Sequence, residues 1–169
     1  AAMNPCRCGM AGEPGHRCAR GPRCQADYQA RISGPLLDRI DLRIDVPAVS
    51  ASDLIRPGKA EGSALVAERV ARARAIQAER YAALGLPSST TNARCSAALI
   101  EQVAMPDQGG LSLLQDASEK MALSARAYHR VLKVARTLAD LEGQENVGRI
   151  HLAEAISYRI SSERLAQAA

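Results

Sequence analysis

The sequence predicts a mainly α fold, preceded by a short cysteine-rich segment. Aromatic residues make up 2% of the chain, with no Trp and no Phe, so the core must be built from Leu, Ile, Val and Ala. Such a core favours packed helices over a β-sandwich. Beyond residue 60 the apolar residues recur at helical spacing, whereas only residues 42–46 alternate as a half-buried strand does.

The net charge and the cysteine content indicate which partners and which cell compartment to expect. The 169 residues carry a net charge of +4 at pH 7, which permits a nucleic-acid or nucleotide partner without requiring one. No stretch approaches the roughly 20 apolar residues of a membrane span, and no leader resembles a signal peptide. Five cysteines, an odd number crowded toward one end, argue against a disulfide framework. We expect a cytoplasmic protein without a membrane partner.

The stretch 32–47, ISGPLLDRIDLRIDVP, predicts a short helix that leads into a strand. Pro35 suits the first turn of a helix capped by Ser33 or by the glycine that follows it. The alternation over 42–46 predicts the strand. Arg39 lies at the junction, where neighbouring elements can hold a side chain at a fixed angle. The alternative is an ordinary surface arginine paired with the aspartates beside it.

Six further helices are predicted after the strand, over 50–55, 61–84, 96–105, 111–121, 124–142 and 151–164. The residues before 32 show little periodicity and are expected to be loop-like or organised by a metal ion. The change of pattern places a domain boundary near residue 48.

Two of these helices carry informative faces. An apolar face of helix 61–84 comprises Val66, Val70, Ala73, Ile76 and Leu84. Helix 124–142, capped by Ser124 and ended by Gly143, has a stripe predicted to be buried, made of Ala127, Val131, Val134, Leu138 and Leu141. A second face of this helix is basic and comprises Arg126, Arg130, Lys133 and Arg136 or Thr137. That face either contacts a partner or is simply solvated.

The cysteines near the start form the array C-x-C-x9-C-x5-C, made of Cys6, Cys8, Cys18 and Cys24. Four thiolates satisfy a tetrahedral zinc site, and the glycines between them would let a short chain fold around the ion. His16 offers an alternative ligand for one position. The competing interpretation is four reduced thiols in a loop. Cys95 stands apart and is expected to be a small buried hydrophobe.

Motifs for nucleotide hydrolysis are absent from the sequence. The stretch RPGKA at 56–60 is not a phosphate-binding loop, because its lysine is followed by Ala and no glycine stands at position 53. No run of four apolar residues ends in Asp-Glu, and His16, His129 and His151 lie in unlike contexts that define no triad. We therefore expect that this chain alone does not hydrolyse a nucleotide.

Three separated stretches, AAMNPCRCG, RISGPLLDRIDLRIDVP and SARAYHRVLKVARTLADLEG with HLAEAISYR, resemble the C-terminal part of magnesium-chelatase-like AAA+ ATPases of the ComM/YifB group. The resemblance covers nearly the whole chain. It implies a chain that begins just after the Walker motifs. It also implies a helical lid domain over 48–169, preceded over 1–47 by a remnant of the α/β core with the cysteine-rich segment.

The resemblance also implies roles for individual residues. Asn4 matches the sensor 1 asparagine that positions the attacking water. Arg39 matches the arginine finger that reaches the nucleotide of the neighbouring subunit, and Arg126 matches the sensor 2 arginine that contacts ATP. The full-length protein would then use ATP and Mg²⁺ and form a homo-hexameric ring. The second cysteine pair, Cys18 and Cys24, departs from the group's frequent C-x-C. Some relatives lack the cysteines, which implies that zinc would be structural and dispensable to the ATPase.

Three functions remain open at this point. The first is the C-terminal part of a ring-forming, helicase-like ATP-dependent motor on DNA, of the branch-migration type in competence-related recombination. The second is a subunit of a magnesium chelatase, which inserts the ion into a tetrapyrrole. The third is a zinc-organised interaction module without enzymatic activity. The cysteine array and residues 124–143 favour the first, and ATP binding by the full-length protein would exclude the third.

Overall fold

The computed structural model describes residues 1–9, 11, 18, 20–21, 23–47, 49, 51–55, 60–87 and 90–159. Within these ranges the chain forms one 3₁₀ helix, Asn92–Arg94, and the α-helices α1 (Cys24–Gln29), α2 (Gly34–Leu37), α3 (Ala51–Ile55), α4 (Ser63–Ala83), α5 (Ala97–Val103), α6 (Gln108–Met121), α7 (Ala125–Leu141) and α8 (Arg149–Ser157). The described residues form no β-strand beyond an isolated bridge between Pro106 and Val147. The prediction of a mainly α fold is confirmed.

Helix α7 is the centre of the bundle, with α4, α5, α8 and the 3₁₀ helix packed around it. The Ser124 Oγ accepts a hydrogen bond from the Ala127 N–H at 3.1 Å, which is the predicted cap. Because neighbours surround this helix, its buried face is wider than the predicted stripe and is turned away from Val134 and Leu138, which are half-buried. The buried residues of α7 are Ala127, Val131, Leu132, Ala135, Arg136, Ala139 and Asp140.

Helix α4 is packed along only part of its length. Ala73, Gln77 and Tyr81 follow one another at intervals of four and are buried against α7. Every residue from 61 to 72 is exposed, including two members of the predicted apolar face, which lie at 36% and 47% exposure. Of the predicted apolar face, only Ala73 is buried.

Helices α6 and α8 approach each other closely at Gly110. A Cβ at this position would lie 2.8 Å from the Leu152 Cδ1 and 3.0 Å from the Pro106 Cβ, so no larger residue fits without a shift. The Asp107 Oδ1 caps α6 by accepting from the Gly110 N–H at 2.7 Å. The helix therefore begins at Gln108, three residues before the predicted start, because the two glycines belong to its first turn.

A buried polar network joins α4, α7 and the 3₁₀ helix. Asp140 is 1% exposed, and its carboxylate accepts from Arg80 at 3.1 Å, from Arg136 at 3.1 Å and from the Asn92 Nδ2 at 2.8 Å. The Tyr81 hydroxyl donates to the Asn92 Oδ1 at 2.5 Å. Burial lowers the pKa of Arg136 from its ordinary value. Arg136, one of the two alternatives for the fourth position of the predicted basic face, therefore lies in the core and not on that face.

The residues predicted as a strand form none in this structure. Leu42, Ile44 and Val46 are 47%, 68% and 86% exposed, and residues 42–47 have no regular secondary structure and no neighbouring strand in the described part of the chain. A strand is stable only when its backbone groups pair with a second strand, so the alternating pattern alone was insufficient.

Other boundaries also differ from those predicted. Helix α1 lies within the segment expected to be loop-like, and α8 spans 149–157 where 151–164 was predicted. Residues 160–169 and 50 lie outside the described residues. Cys95 is buried at 5% exposure, as predicted.

None of the described helices is both long and apolar enough to cross a membrane. Helix α4, at 21 residues, has the necessary length, but charged side chains recur along it.

Candidate functional site

Three cysteines near the start of the chain bring their sulfur atoms together. The Cys6 and Cys8 Sγ atoms are 2.8 Å apart, and the Cys8 Sγ is 3.5 Å from the Cys18 Sγ. All three sulfurs lie within 4.8 Å of one another. In a tetrahedral zinc site the sulfurs are about 3.8 Å apart, because each Zn–S bond is about 2.3 Å long. This spacing can hold a metal ion.

Two similar turns position these thiols. The Gly9 N–H donates to the Cys6 carbonyl at 3.0 Å, and the Gly21 N–H donates to the Cys18 carbonyl at 3.0 Å. Both glycines have positive φ, at 79° and 87°, a conformation that residues with a Cβ rarely adopt. Each turn therefore curls the chain back at a cysteine, and the second leads into α1 with Cys24 as its first residue.

Cys24, the fourth predicted ligand, lies beside Cys18 but is not among the three cysteines whose sulfurs lie within 4.8 Å of one another. Cys24 is buried at 8% exposure, and its thiol contacts that of Cys18. The backbone hydrogen bond at Arg20 lowers the pKa of the Cys18 thiol, but the hydrogen bond to Cys8, burial and the contact with Cys24 outweigh it and raise this pKa to about 11. The predicted alternative ligand, His16, lies outside the described residues.

Arg39 lies two residues after the end of α2, in the segment that leads to residues 42–47. The Ser33 Oγ accepts from the Leu36 N–H at 3.4 Å, so Ser33 is the cap of α2. Arg39 is exposed, and its Nη1 donates to the Pro35 carbonyl at 2.6 Å. The guanidinium therefore stays within its own segment in this structure, on the outside of the molecule.

Two aspartates on either side of this arginine bind the helical bundle. The Asp38 Oδ2 accepts from the Ser124 Oγ at 2.9 Å, and its Oδ1 lies 3.4 Å from the Arg159 Nη2. Asp41 forms an ion pair with Arg130 of α7. We call the four charged residues of these pairs the clasp: Asp38, Asp41, Arg130 and Arg159.

Backbone hydrogen bonds reinforce the same attachment. The Arg159 Nη1 donates to the Ile40 carbonyl at 3.2 Å, and the Arg43 N–H donates to the Tyr158 carbonyl at 2.9 Å. The second bond satisfies the Tyr158 carbonyl at the end of α8, where a helix leaves its last acceptors unpaired. Arg159 is 7% exposed, and burial together with the charge of Arg43 lowers its pKa.

The basic face of α7 borders a cleft of about 300 Å³, lined by Ala93, Ala97, Arg126, His129, Arg130 and Lys133. The His129 Nε2 lies 2.8 Å from a Glu101 oxygen, and the Lys133 Nζ donates to the Ala93 carbonyl at 3.0 Å. The Arg126 side chain is exposed, and no hydrogen bond or ion pair joins it to another residue that the structure describes. It is thus the cation of this cleft most available to an anionic ligand.

Asn4 lies near the start of the chain, two residues before Cys6. It is exposed and sits near Gly9, where an added Cβ would be 3.8 Å from the Asn4 Nδ2. Among the described residues, no hydrogen bond joins Asn4 to Arg39 or Arg126. The Ser124–Asp38 hydrogen bond places the two predicted arginines in neighbouring segments, and no described hydrogen bond links Asn4 to them.

A larger cleft of about 630 Å³ lies along α6 and is lined by Gln108, Leu111, Ser112, Leu114, Gln115, Ser118 and Tyr128. Tyr128 is the one ionisable side chain in this lining, and burial raises its pKa. None of the predicted site residues borders this cleft, so size alone does not make it the functional site.

Comparison with known proteins places the whole arrangement in one family. The family model described as magnesium chelatase, subunit ChlI C-terminal, matches residues 60–159, and that described as magnesium chelatase, subunit ChlI, matches residues 1–54. The chain belongs to the magnesium-chelatase-like family. Within this family it falls in the ComM/YifB group.

Three relatives of this magnesium-chelatase-like chain support that placement. The competence protein ComM of Haemophilus influenzae is 40% identical over 160 residues, which cover 94% of this chain and 30% of ComM. The protein YifB is 38% identical in Salmonella typhimurium and 37% identical in Escherichia coli, with the same two coverages. The chain thus spans about 30% of the length of these curated relatives.

Sequence reasoning did not identify the clasp of this magnesium-chelatase-like chain. The two aspartates flanking Arg39 were visible, but Arg159, the partner of Asp38, lies 121 residues further along, and Arg130, the partner of Asp41, lies 89 residues further along. Arg130 was assigned only to a general basic face, and no role was assigned to Arg159. Pairing of distant residues leaves no periodic pattern, so the sequence carried no signal for these contacts.

Proposed function

We propose that this chain is the C-terminal part of a ring-forming AAA+ ATPase that acts on DNA, of the branch-migration type. In this proposal residues 48–169 form the lid domain, and residues 1–47 belong to the end of the ATPase core. Family membership is the first support, because both halves of the chain match models of the magnesium chelatase subunit ChlI.

The attachment of the Arg39 segment to the start of α7 supports the proposal most directly. Asp38, next to Arg39, accepts a hydrogen bond from Ser124, which caps the helix that carries Arg126. Two exposed arginines assigned to nucleotide contacts are thereby linked through the start of one helix.

The proposed chemistry is electrostatic stabilisation of a phosphoryl group during ATP hydrolysis. Arg39 would extend from its fixed segment to the nucleotide of a neighbouring subunit, where its planar fork suits the oxygens of the γ-phosphate. Arg126 would contact the nucleotide of its own subunit, and Asn4 would orient the attacking water. Mg²⁺ bound with ATP would neutralise charge on the phosphates.

The DNA assignment is the finer part of this proposal. Its supports are the net charge of +4, the basic cleft on α7 and the name of ComM as a competence protein. A positive charge of this size raises affinity for any polyanion and does not distinguish DNA from other partners. The partner must therefore be tested directly.

We expect the full-length protein to hydrolyse ATP and to do so faster with branched DNA. The isolated 169-residue chain should release no phosphate and should bind ATP weakly, because it carries Asn4, Arg39 and Arg126 without a phosphate-binding loop. Phosphate release and titration calorimetry measure these two results. Tight ATP binding by the isolated chain would contradict the assignment of its arginines to a shared site.

A magnesium chelatase subunit is the second candidate, and the description of the matching family models favours it. The same ATPase assay separates the two functions. A chelatase subunit should respond to a tetrapyrrole with Mg²⁺ and not to DNA, whereas a DNA motor should show the opposite response. If neither DNA nor the tetrapyrrole stimulates ATP hydrolysis, both proposed functions are refuted, while the family assignment is unaffected.

We also propose that the cysteine cluster binds one structural zinc ion through Cys6, Cys8, Cys18 and Cys24. The first three sulfurs already lie at distances suited to one ion, and Cys24 would complete the set after a small movement beside Cys18. Without a metal ion the neighbouring thiols disfavour deprotonation of Cys18, because they raise its pKa. A divalent cation would reverse this by stabilising deprotonated sulfur.

We expect about one zinc ion per chain in protein purified without chelators, measured by elemental mass spectrometry. Cys8→Ser should remove most of the metal, because Cys8 lies between the two other close sulfurs. Cys95→Ser is the matched control, since Cys95 is buried in the helical core and should not alter the zinc content. Equal metal content in both variants, or no metal in the unmodified chain, would refute the site.

A further inference from the structure

The segment that carries Arg39 is held to the molecule mainly by the clasp. Helix α2 comprises only four residues, and the residues after Arg39 belong to no strand in the described part of the chain. The contacts that attach the segment come from Asp38 on one side of Arg39 and from Ile40 and Asp41 on the other. The backbone of Arg39 is therefore fixed at both ends.

The Arg39 side chain contrasts with its fixed backbone. It is exposed, and its one described hydrogen bond is to the Pro35 carbonyl of its own segment. Exchanging that bond for a phosphate oxygen would require rotation of a side chain and no movement of the backbone. A residue that acts across a subunit interface requires a fixed backbone and a side chain that can reach outward, which is the geometry of Arg39.

The clasp is better suited to orientation than to stability. The side chains of Asp41 and Arg130 are 44% and 27% exposed, and an ion pair of this exposure adds little to folding stability. The second pair joins Asp38, at 38% exposure, to the buried Arg159. Yet their contacts reach two different helices, α7 and the end of α8, from one short segment. Several weak contacts on a single segment fix its direction, even when each contributes little free energy.

We propose that Asp38 and Asp41 are positioning residues for Arg39 and that they make Arg39 move together with α7. This inference rests on the proposed function. The link runs from Arg126, through the start of α7 at Ser124, to Asp38 and then to Arg39. A nucleotide that shifts α7 through Arg126 in one subunit would thereby move the finger that serves the neighbouring subunit.

The test uses Asp41→Asn in the full-length protein, because this change removes one ion pair and keeps the size of the side chain. We expect kcat to fall by about 10- to 100-fold, the scale of a small misplacement of a catalytic group. The KM for ATP should change by less than about twofold, since ground-state binding is not affected. The exchange Asp41→Arg with Arg130→Asp should restore much of the lost turnover by reversing the pair.

Two further variants separate positioning from a general structural role. In an Arg39→Ala background Asp41→Asn should cause no further loss, because the residue it positions is gone. Asp116→Asn, at an exposed position on α6, is the matched control and should leave kcat unchanged. Thermal unfolding of the Asp41→Asn protein should match that of the unmodified protein.

Each outcome bears on a different statement. If Arg39→Ala lowers turnover and Asp41→Asn does not, the positioning role is refuted and the proposed function stands. If Asp41→Asn lowers turnover equally with and without Arg39, the clasp does not act through Arg39 and the inference is overturned. If Arg39→Ala has no effect on turnover, the finger assignment in the proposed function fails, and the positioning role fails with it.

Discussion

Asp140→Ala is expected to destabilise the helical bundle by about 3–5 kcal/mol, the usual cost of removing one partner from a buried ion pair. The carboxylate is 1% exposed and accepts hydrogen bonds from Arg80, Arg136 and Asn92. Its removal leaves the Arg136 guanidinium, itself 1% exposed, without a counter-charge. Urea denaturation of the 169-residue chain, followed by the circular dichroism signal of its helices, measures the change in the free energy of unfolding.

Two comparison variants identify the cause of this destabilisation. Asp116→Ala removes an exposed aspartate from α6 and should change the free energy of unfolding by less than about 0.5 kcal/mol. Asp140→Ala combined with Arg136→Met removes the buried charge as well and should be more stable than Asp140→Ala alone. If the double variant is no better than the single one, the loss arises from packing and not from an unpaired charge.

Arg39→Ala in the full-length ring is expected to lower ATP turnover by about 10³- to 10⁵-fold, the range for an arginine supplied in trans. Nucleotide affinity should remain largely intact, because the guanidinium would stabilise charge that develops in the transition state. Arg126→Ala should lower both affinity and turnover, since that residue would contact the nucleotide of its own subunit. Steady-state ATPase assays and nucleotide titrations distinguish the two patterns.

Mixed rings test whether Arg39 acts across the interface. Subunits with Arg39→Ala should regain activity when mixed with subunits that lack the lysine of the phosphate-binding loop, because some interfaces then pair two intact components. Arg31→Ala, an exposed arginine in the same region, is the matched control and should retain full turnover. If mixed rings assemble but stay inactive, Arg39 does not act across the interface.

The features that were predictable from the sequence are those that depend on neighbouring residues. Ser33, Ser96 and Ser124 each cap a helix by accepting a backbone N–H three residues on, a contact that the local pattern specifies. The close approach of Cys6 and Cys8 likewise follows from their spacing and the glycine after them. The candidate site residues came from the family resemblance, and their roles remain predictions.

The sequence by itself determined the helical class, the helix caps and the family of this protein, because propensity, capping and motif spacing act over a few residues. Only the tertiary structure decided which faces are buried. Arg136 has the pattern of a surface cation in the sequence. It lies in the core because the Asp140 carboxylate and the Gln144 and Glu145 carbonyls, which follow α7, accept hydrogen bonds from it there. Residues 42–46 read as a strand but stay exposed, because a strand needs a partner that no local pattern supplies. The clasp that holds Arg39 likewise joins residues up to 121 positions apart, and only folding brings such residues into contact.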